Sequence, residues 1–238
     1  MTHRIHLEMA YVLSRRPYRE TSALLEVFSE TLGRVGLVAR GVQSPRSKLR
    51  GLLDAFKPLL LSWNERGELG TLTGAEPAPQ AVKPLSGEAV FCGWYINELL
   101  LRLTTRHDPH PRLFTAYAQT LTALAGGGGE RALRLFEKHL LMELGYGLLL
   151  PPELDPQLTY RYDWDQGPRI AEQGYRGESL VALADETLHT PQQLRDAKHL
   201  LREALARHGA GGELETPKLL RAVRAATGVG GQGTGVSV

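Results

Sequence analysis

With one cysteine, Cys92, in 238 residues, the chain has no means of forming an internal disulfide or a site built from several thiolates. Cys92 lies in the apolar run Ala89-Val90-Phe91-Cys92, which predicts a small core residue and not a nucleophile. No stretch reaches the ~20 apolar residues that span a bilayer. The start, Met1-Thr2-His3-Arg4-Ile5-His6, has no apolar core of signal-peptide length, so no membrane association and a cytoplasmic location are expected. The phosphate-binding pattern ending in Gly-Lys-Ser/Thr is missing, as is the paired-histidine zinc-protease pattern. Gly228-Val229-Gly230-Gly231-Gln232-Gly233 matches the dinucleotide fingerprint by letter. It lacks the preceding strand and the following helix that would give the match meaning. His107-Asp108-Pro109-His110 reads as a connector in which Asp108 caps the next helix. No catalytic residue, metal ligand or cofactor is assigned.

What the chain does have is a lopsided charge. Arg4, Arg15, Arg16, Arg19, Arg34, Arg40, Arg46, Lys48 and Arg50 face only Glu8, Glu20, Glu26 and Glu30 in the first fifty residues. The remaining 188 residues hold 19 basic and 22 acidic side chains, so the positive field is local. A local positive field over short strands suits a polyanion, with nucleic acid first among candidates.

The amino-terminal part reads as β. Strands are predicted at Ala10–Leu13, ended by the basic turn Arg15-Arg16-Pro17, and at Ala23–Phe28, Arg34–Ala39, Leu59–Trp63 and Glu68–Thr73. Asn64-Glu65-Arg66-Gly67 is a four-residue hairpin connection. Five short strands in about 75 residues suggest a small closed barrel, because closure removes exposed edges. The character changes at Glu76-Pro77-Ala78-Pro79. Helices are predicted at Gly87–Thr105, Arg112–Ala125 and Glu130–Leu144, the last stopped by Gly145. Thr159–Ala184 reads as irregular and partly β, with Tyr160, Tyr162, Trp164 and Tyr175. Thr190-Pro191 and Thr216-Pro217 each place a capping hydroxyl before a proline and open helices to about Arg207 and Ala226. The expected division is 1–78, 79–227 with an insertion at about 159–184, and a disordered glycine-rich tail at 228–238.

The segment Arg40-Gly41-Val42-Gln43-Ser44-Pro45-Arg46-Ser47-Lys48-Leu49-Arg50 mixes cations with two hydroxyls in a sequence that resists helix formation. Such a loop can follow a phosphate backbone without reading bases, so binding is expected to tolerate any sequence and to depend strongly on salt. On the third helix, Arg131, Arg134 and Lys138 form a stripe beside the apolar face. A cationic rim beside an apolar groove suits an acidic peptide with a hydrophobic anchor. A solvated helix face paired with Glu130 and Glu137 accounts for the same pattern. Arg195, Lys198 and Arg202 repeat the spacing on a later helix, as ordinary helix surface or a second backbone contact.

These residues resemble the RecO family of bacterial recombination mediators. The resemblance rests on Tyr11-Val12-Leu13, Arg15-Arg16-Pro17-Tyr18-Arg19-Glu20-Thr21-Ser22, Gly33-Arg34, Ala39-Arg40-Gly41 and Ser47-Lys48-Leu49-Arg50-Gly51. It continues through Phe56-Lys57-Pro58-Leu59-Leu60-Leu61, Tyr95-Ile96-Asn97-Glu98-Leu99-Leu100 and Leu144-Gly145-Tyr146-Gly147. Their order over about 150 residues makes the match specific, while the last 90 or so resemble the family only loosely. The resemblance implies an α+β protein, with a five-stranded OB-fold followed by a mostly helical domain. It implies binding of single- and double-stranded DNA and annealing of complementary strands. It implies loading of RecA, with RecR and RecF, onto DNA coated by single-stranded DNA-binding protein, and a cytoplasmic, nucleoid-associated protein. It also implies contact with the acidic carboxyl-terminal tail of that coating protein. Carried over residue by residue, DNA binding falls on Arg34, Arg40, Arg46, Lys48 and Arg50, together with Arg15, Arg16 and Arg19 of the basic turn. Tail binding falls on Arg134, flanked by Arg131 and Lys138, with Leu113, Phe114, Tyr117 and Leu121 as the groove. Many relatives hold zinc with four cysteines after the Leu-Gly-Tyr-Gly segment. Pro151–Ala184 here has none, which implies the zinc-lacking branch with an aromatic-packed substitute. The alternatives from other classes are a protein adaptor on the same barrel that never touches DNA, and a nuclease, which would need clustered carboxylates.

Overall fold

The computed structural model describes residues 3–65, 67–80, 82–210 and 214–227. Five strands close into a barrel: β1 (His3–Tyr18), β2 (Ser22–Ser29), β3 (Gly33–Ala39), β4 (Pro58–Glu65) and β5 (Gly70–Pro77). Their order is β1-β2-β3-β5-β4, with β4 returning to β1 and only the short β3–β5 contact parallel. The OB-like barrel and the mostly helical remainder agree with the expected α+β class. Val12, Leu25, Val27, Val35, Leu37, Leu59, Leu61 and Trp63 fill the interior. All eight residues of β2 are buried, because the strand has the barrel core on one face and packed side chains on the other.

β1 is longer than its apolar stretch predicts. Beyond Tyr11 it pairs only with β2, as far as Pro17↔Ala23 and Tyr18↔Ser22. A proline is tolerated there because no second neighbour asks for its missing N–H. The ladder slips between Val12 and Ser14, leaving Leu13 as the extra residue. The freed Leu13 carbonyl accepts a 2.8 Å hydrogen bond from Asn97 Nδ2, and Asn97 Oδ1 accepts one of 2.6 Å from the Tyr117 hydroxyl.

Asn97 and Tyr117 belong to α1 (Glu88–Leu103) and α2 (Pro111–Ala125). Both helices join the barrel in one compact unit, 1–126. The rings of Phe114 and Tyr117 meet Tyr11 and Phe28 at centroid distances of 5.0 to 6.1 Å. Asn97→Leu is therefore expected to cost about 1–3 kcal/mol, since it removes the amide that donates to the buried Leu13 carbonyl and accepts from the buried Tyr117 hydroxyl. A urea unfolding midpoint unchanged from wild type would contradict this. The connector between the helices seats on the β2–β3 turn at Gly33, whose φ is +68° and where a Cβ would stand 2.0 Å from the Asp108 carbonyl oxygen. Asp108 does not cap α2, as the sequence suggests; His110 occupies the N-cap position, without a side-chain cap bond.

The second unit, 127–238, begins with α3 (Gly129–Glu143). After a loop, β6 (Thr159–Asp163), β7 (Gly167–Ile170) and β8 (Tyr175–Arg176) make a small antiparallel sheet in the order β7-β6-β8. Aromatic residues organise this segment. The Tyr162 hydroxyl accepts from Leu149 N at 2.8 Å and the Tyr160 hydroxyl from Asp155 N at 2.9 Å, which fastens the incoming loop to the sheet. Gly177–Ala184, which the sequence reads as irregular, is a helix, α4. α5 (Pro191–Leu205) opens with the expected Thr190 cap, completed by Gln193 as a capping box. α6 (Glu215–Thr227) begins before Thr216, so that hydroxyl lies inside the first turn. The glycine-rich 228–238 lies outside the described residues.

Candidate nucleic-acid interface

Between β3 and β4 the basic loop does not wander. Successive turns close through Ser47 N to Ser44 O, Arg50 N to Ser47 O and Leu52 N to Leu49 O. Val42 and Leu53 are fully buried in the barrel, and Leu49 and Leu52 pack against the same core. With the leucines turned inward, Arg46, Lys48 and Arg50 are left exposed. None of the three makes a side-chain ion pair among the described residues.

Hydrogen bonds bring the end of β1 to this loop. Arg15 Nη1 donates to the Arg50 carbonyl at 2.8 Å, across 35 residues of sequence. Gln43 reaches the β1–β2 turn twice, its N–H to Thr21 O at 2.8 Å and its Nε2 to Ser22 O at 2.6 Å. Arg40 follows β3 at the residue after Ala39, which pairs with Ala23 beside the same turn. Arg15, Arg16, Arg19, Arg40, Arg46, Lys48 and Arg50 are thus gathered by the β1–β2 turn and the loop that packs on it. Arg16, Arg19 and Arg40 are exposed like the loop cations, and Arg15 is half-buried.

Arg34 is not with them. It enters at the far end of β3, roughly 20 Å along a strand rising about 3.3 Å per residue. Its Nη1 lies 3.3 Å from Glu26 Oε2, and its Nη2 donates to the Thr104 carbonyl at 2.8 Å. Glu26 is shared with Arg106, whose guanidinium donates to both carboxylate oxygens. Burial lowers the Arg34 pKa; Glu26 opposes that shift and Arg106 adds to it. The hydrogen bond to Glu26 raises that of Arg106. This cluster ties the α1–α2 connector to the barrel, and it takes Arg34 away from the surface that its sequence neighbours suggest.

The helical stripe also differs from expectation. Arg131 is exposed and donates to the Glu186 carbonyl at 2.6 Å. Lys138 donates to Ala184 O and to Glu186 Oε1, at 2.7 and 2.9 Å. Burial alone would raise the Glu186 pKa, but hydrogen bonds from Lys138 and His139 hold it below the ordinary value. Arg134 is 1% exposed, with Nη2 donating to Glu137 Oε1 at 2.7 Å and with Nε and Nη1 unpartnered. α5 packs over this face, and burial together with the neighbouring Arg134 lowers the Lys198 pKa to about 8. Arg134 is therefore a buried ion-pair member and does not stand on a rim. Leu113, Tyr117 and Leu121 are at most 1% exposed, committed to the core of the first unit and not to an open groove. Phe114, 6% exposed, also lines a cavity of about 580 Å³ with Met9, Tyr11 and Gln119.

Among the described residues no group of three or more His, Cys, Asp or Glu side chains is placed to hold a metal ion. Among those residues, too, no helix is long and apolar enough to cross a membrane. Cys92 is buried as expected.

Two family models match the chain. A family model described as recombination protein O N terminal matches residues 1–80, and one described as recombination protein O C terminal matches residues 84–153. The chain is 45% identical over 233 residues to the DNA repair protein RecO of Dechloromonas aromatica, covering 92% of this chain and 96% of that one. It is 46% identical over 234 residues to the RecO protein of Nitrosococcus oceani, covering 93% and 95%. With the RecO protein of Coxiella burnetii the identity is 41% over 231 residues, covering 92% and 100%.

Proposed function

The chain belongs to the recombination protein O (RecO) family of DNA repair and recombination proteins, and from that premise we propose that it binds single- and double-stranded DNA without reading sequence and anneals complementary strands. The observation that supports this reading is the Arg15–Arg50 hydrogen bond. It pins two stretches of cations, remote in sequence, against each other at one region of the barrel. Annealing requires two like-charged strands to approach, and a cationic surface lowers that barrier while leaving base edges free to pair. The work needs no nucleotide hydrolysis, in keeping with a family of non-enzymatic mediators.

We assign the phosphate-binding cations to the barrel residues 1–78, and contact with the coating protein's tail to the helical part within 79–227. In the wider reaction the protein acts with RecR, and with RecF, to help load RecA onto strands covered by single-stranded DNA-binding protein. Contact with the acidic tail of the coating protein raises the local concentration of the mediator on covered DNA. On α3, Arg131 is the exposed cation available to that tail, since Arg134 is buried. We further assign the chain to the zinc-lacking branch, on the absence of cysteine from Pro151–Ala184 and the tyrosine-fastened sheet there.

The test is annealing of complementary oligonucleotides precoated with the cognate single-strand binder. Addition of the protein is expected to accelerate duplex formation, with the acceleration fading as salt rises. No acceleration, together with no gel shift of bare oligonucleotides, would overturn the proposal in favour of an adaptor that never touches DNA.

A further inference from the structure

The basic loop ends in an aromatic pair. Lys57 Nζ donates to Asp54 Oδ2 at 2.8 Å and back to the Gly51 carbonyl at 3.2 Å, and Gly51 follows Arg50, so Phe56 is held close to the loop cations Arg46, Lys48 and Arg50. The Phe56 ring meets the Trp94 indole of α1 at a centroid distance of 5.0 Å and an angle of 67°. An edge-on contact of this kind covers at most one face of the indole. Trp94 is 41% exposed, and with Leu7 it makes up the large apolar side chains left exposed among the described residues of 1–126. Of the other Phe, Tyr and Trp side chains of that unit, Tyr11, Phe28, Trp63, Tyr95, Phe114 and Tyr117 are buried, and Tyr18, Phe56 and Phe91 are half-buried.

Phe56 is placed there against local preference. Its φ is +69°, in the left-handed region that a non-glycine residue rarely occupies. It packs on α1 at Gly93, where a Cβ would lie 2.7 Å from one ring carbon of Phe56 and 2.8 Å from Leu85. A mid-helix glycine and a strained phenylalanine thus fix the ring beside Trp94. An adjoining cavity of about 410 Å³ has Phe56, Lys57, Lys83 and Leu85 in its walls. Exposed indole, neighbouring cations and adjacent space are what an unpaired base requires, because every base offers a π-face for stacking while its phosphate is held by charge.

We propose that Trp94 stacks on an unpaired base of a strand whose phosphates follow the Arg46–Lys57 loop, giving the surface a preference for single-stranded over double-stranded nucleic acid. In a duplex the bases are already stacked on one another, so Trp94 adds nothing to duplex binding. The inference rests on the DNA-binding reading of the barrel and adds to it a contact that a duplex with its bases stacked does not make.

The experiment uses the full chain and fluorescence anisotropy of one labelled oligonucleotide, alone and as a duplex, at matched salt. Trp94→Ala is expected to weaken single-strand binding about tenfold, the effect of losing one base–aromatic stack. Duplex affinity and the salt dependence of both should stay within twofold of wild type, and Trp94→Phe should restore most of the loss. Unchanged single-strand affinity in Trp94→Ala, or equal loss on strand and duplex, would overturn the stacking proposal. In either case the DNA-binding reading stands, provided the wild type binds and a variant with Arg46, Lys48 and Arg50 all replaced by alanine binds far more weakly. A wild-type chain that binds neither substrate would remove both.

Discussion

Replacing Arg46, Lys48 and Arg50 together with alanine is expected to weaken binding near 0.1 M salt about 100-fold on a single strand and about 500-fold on a duplex. Each phosphate contact contributes roughly 0.9 to the slope of log affinity against log salt on a duplex and about 0.7 on a single strand. Three lost contacts should therefore flatten the slope by about 2.7 and 2.1, and ten-fold dilution from 1 M turns each unit of slope into about one decade. The fold should survive, because the three side chains are exposed and the loop is anchored by Leu49, Leu52 and Leu53. Arg34→Ala supplies the contrast. With its guanidinium engaged by Glu26 and the Thr104 carbonyl, Arg34 contributes nothing to the slope. A salt titration in which the triple variant keeps the wild-type slope, or in which Arg34→Ala loses as much, would remove the loop from the interface.

A comparably large effect is expected on stability at Arg134. Its side chain is 1% exposed and that of Glu137 is 2% exposed. Removing one member of such a pair leaves the other charge buried, at a cost of about 3–5 kcal/mol. Arg134→Ala and Glu137→Gln should each shift the urea transition of the helical unit to lower concentration. Replacing both at once, Arg134→Met with Glu137→Leu, should recover much of that loss, because apolar groups of similar size remove the desolvation penalty along with the attraction. The prediction opposes a recognition role for Arg134. If Arg134→Ala unfolds like wild type and loses only affinity for an acidic peptide, the side chain is not held as described.

Much of this could be read from the chain alone, and what could not shares one cause. Strands β2 to β5 and helices α1, α2, α3 and α5 announce themselves by local periodicity, and the Thr190 cap by its neighbours. Arg34 looks like the other amino-terminal cations until Arg106, 72 positions later, arrives at the same carboxylate. Arg134 lies beside the apolar face of α3, and only α5 packing over it turns a rim position into a core position. Asn97 sits among apolar residues of α1, with nothing nearby to reveal the Leu13 carbonyl that it serves. α4 is missed because its eight residues are too few to establish a period. Trp94, at helical spacing with Val90, Asn97 and Leu101, reads from sequence only as one more residue of that helix face. Its interest depends on Phe56, 38 positions earlier, and on how much of the indole the fold leaves uncovered.

The leucine anchors of the loop bear on how the surface meets its target. A segment stapled into a hydrophobic interior at Val42, Leu49, Leu52 and Leu53 has little freedom to respace its cations to suit each incoming polymer. Conformational adjustment is left to the nucleic acid, and a pliable strand can bend its sugar–phosphate chain onto a fixed array more cheaply than a stiff double helix can.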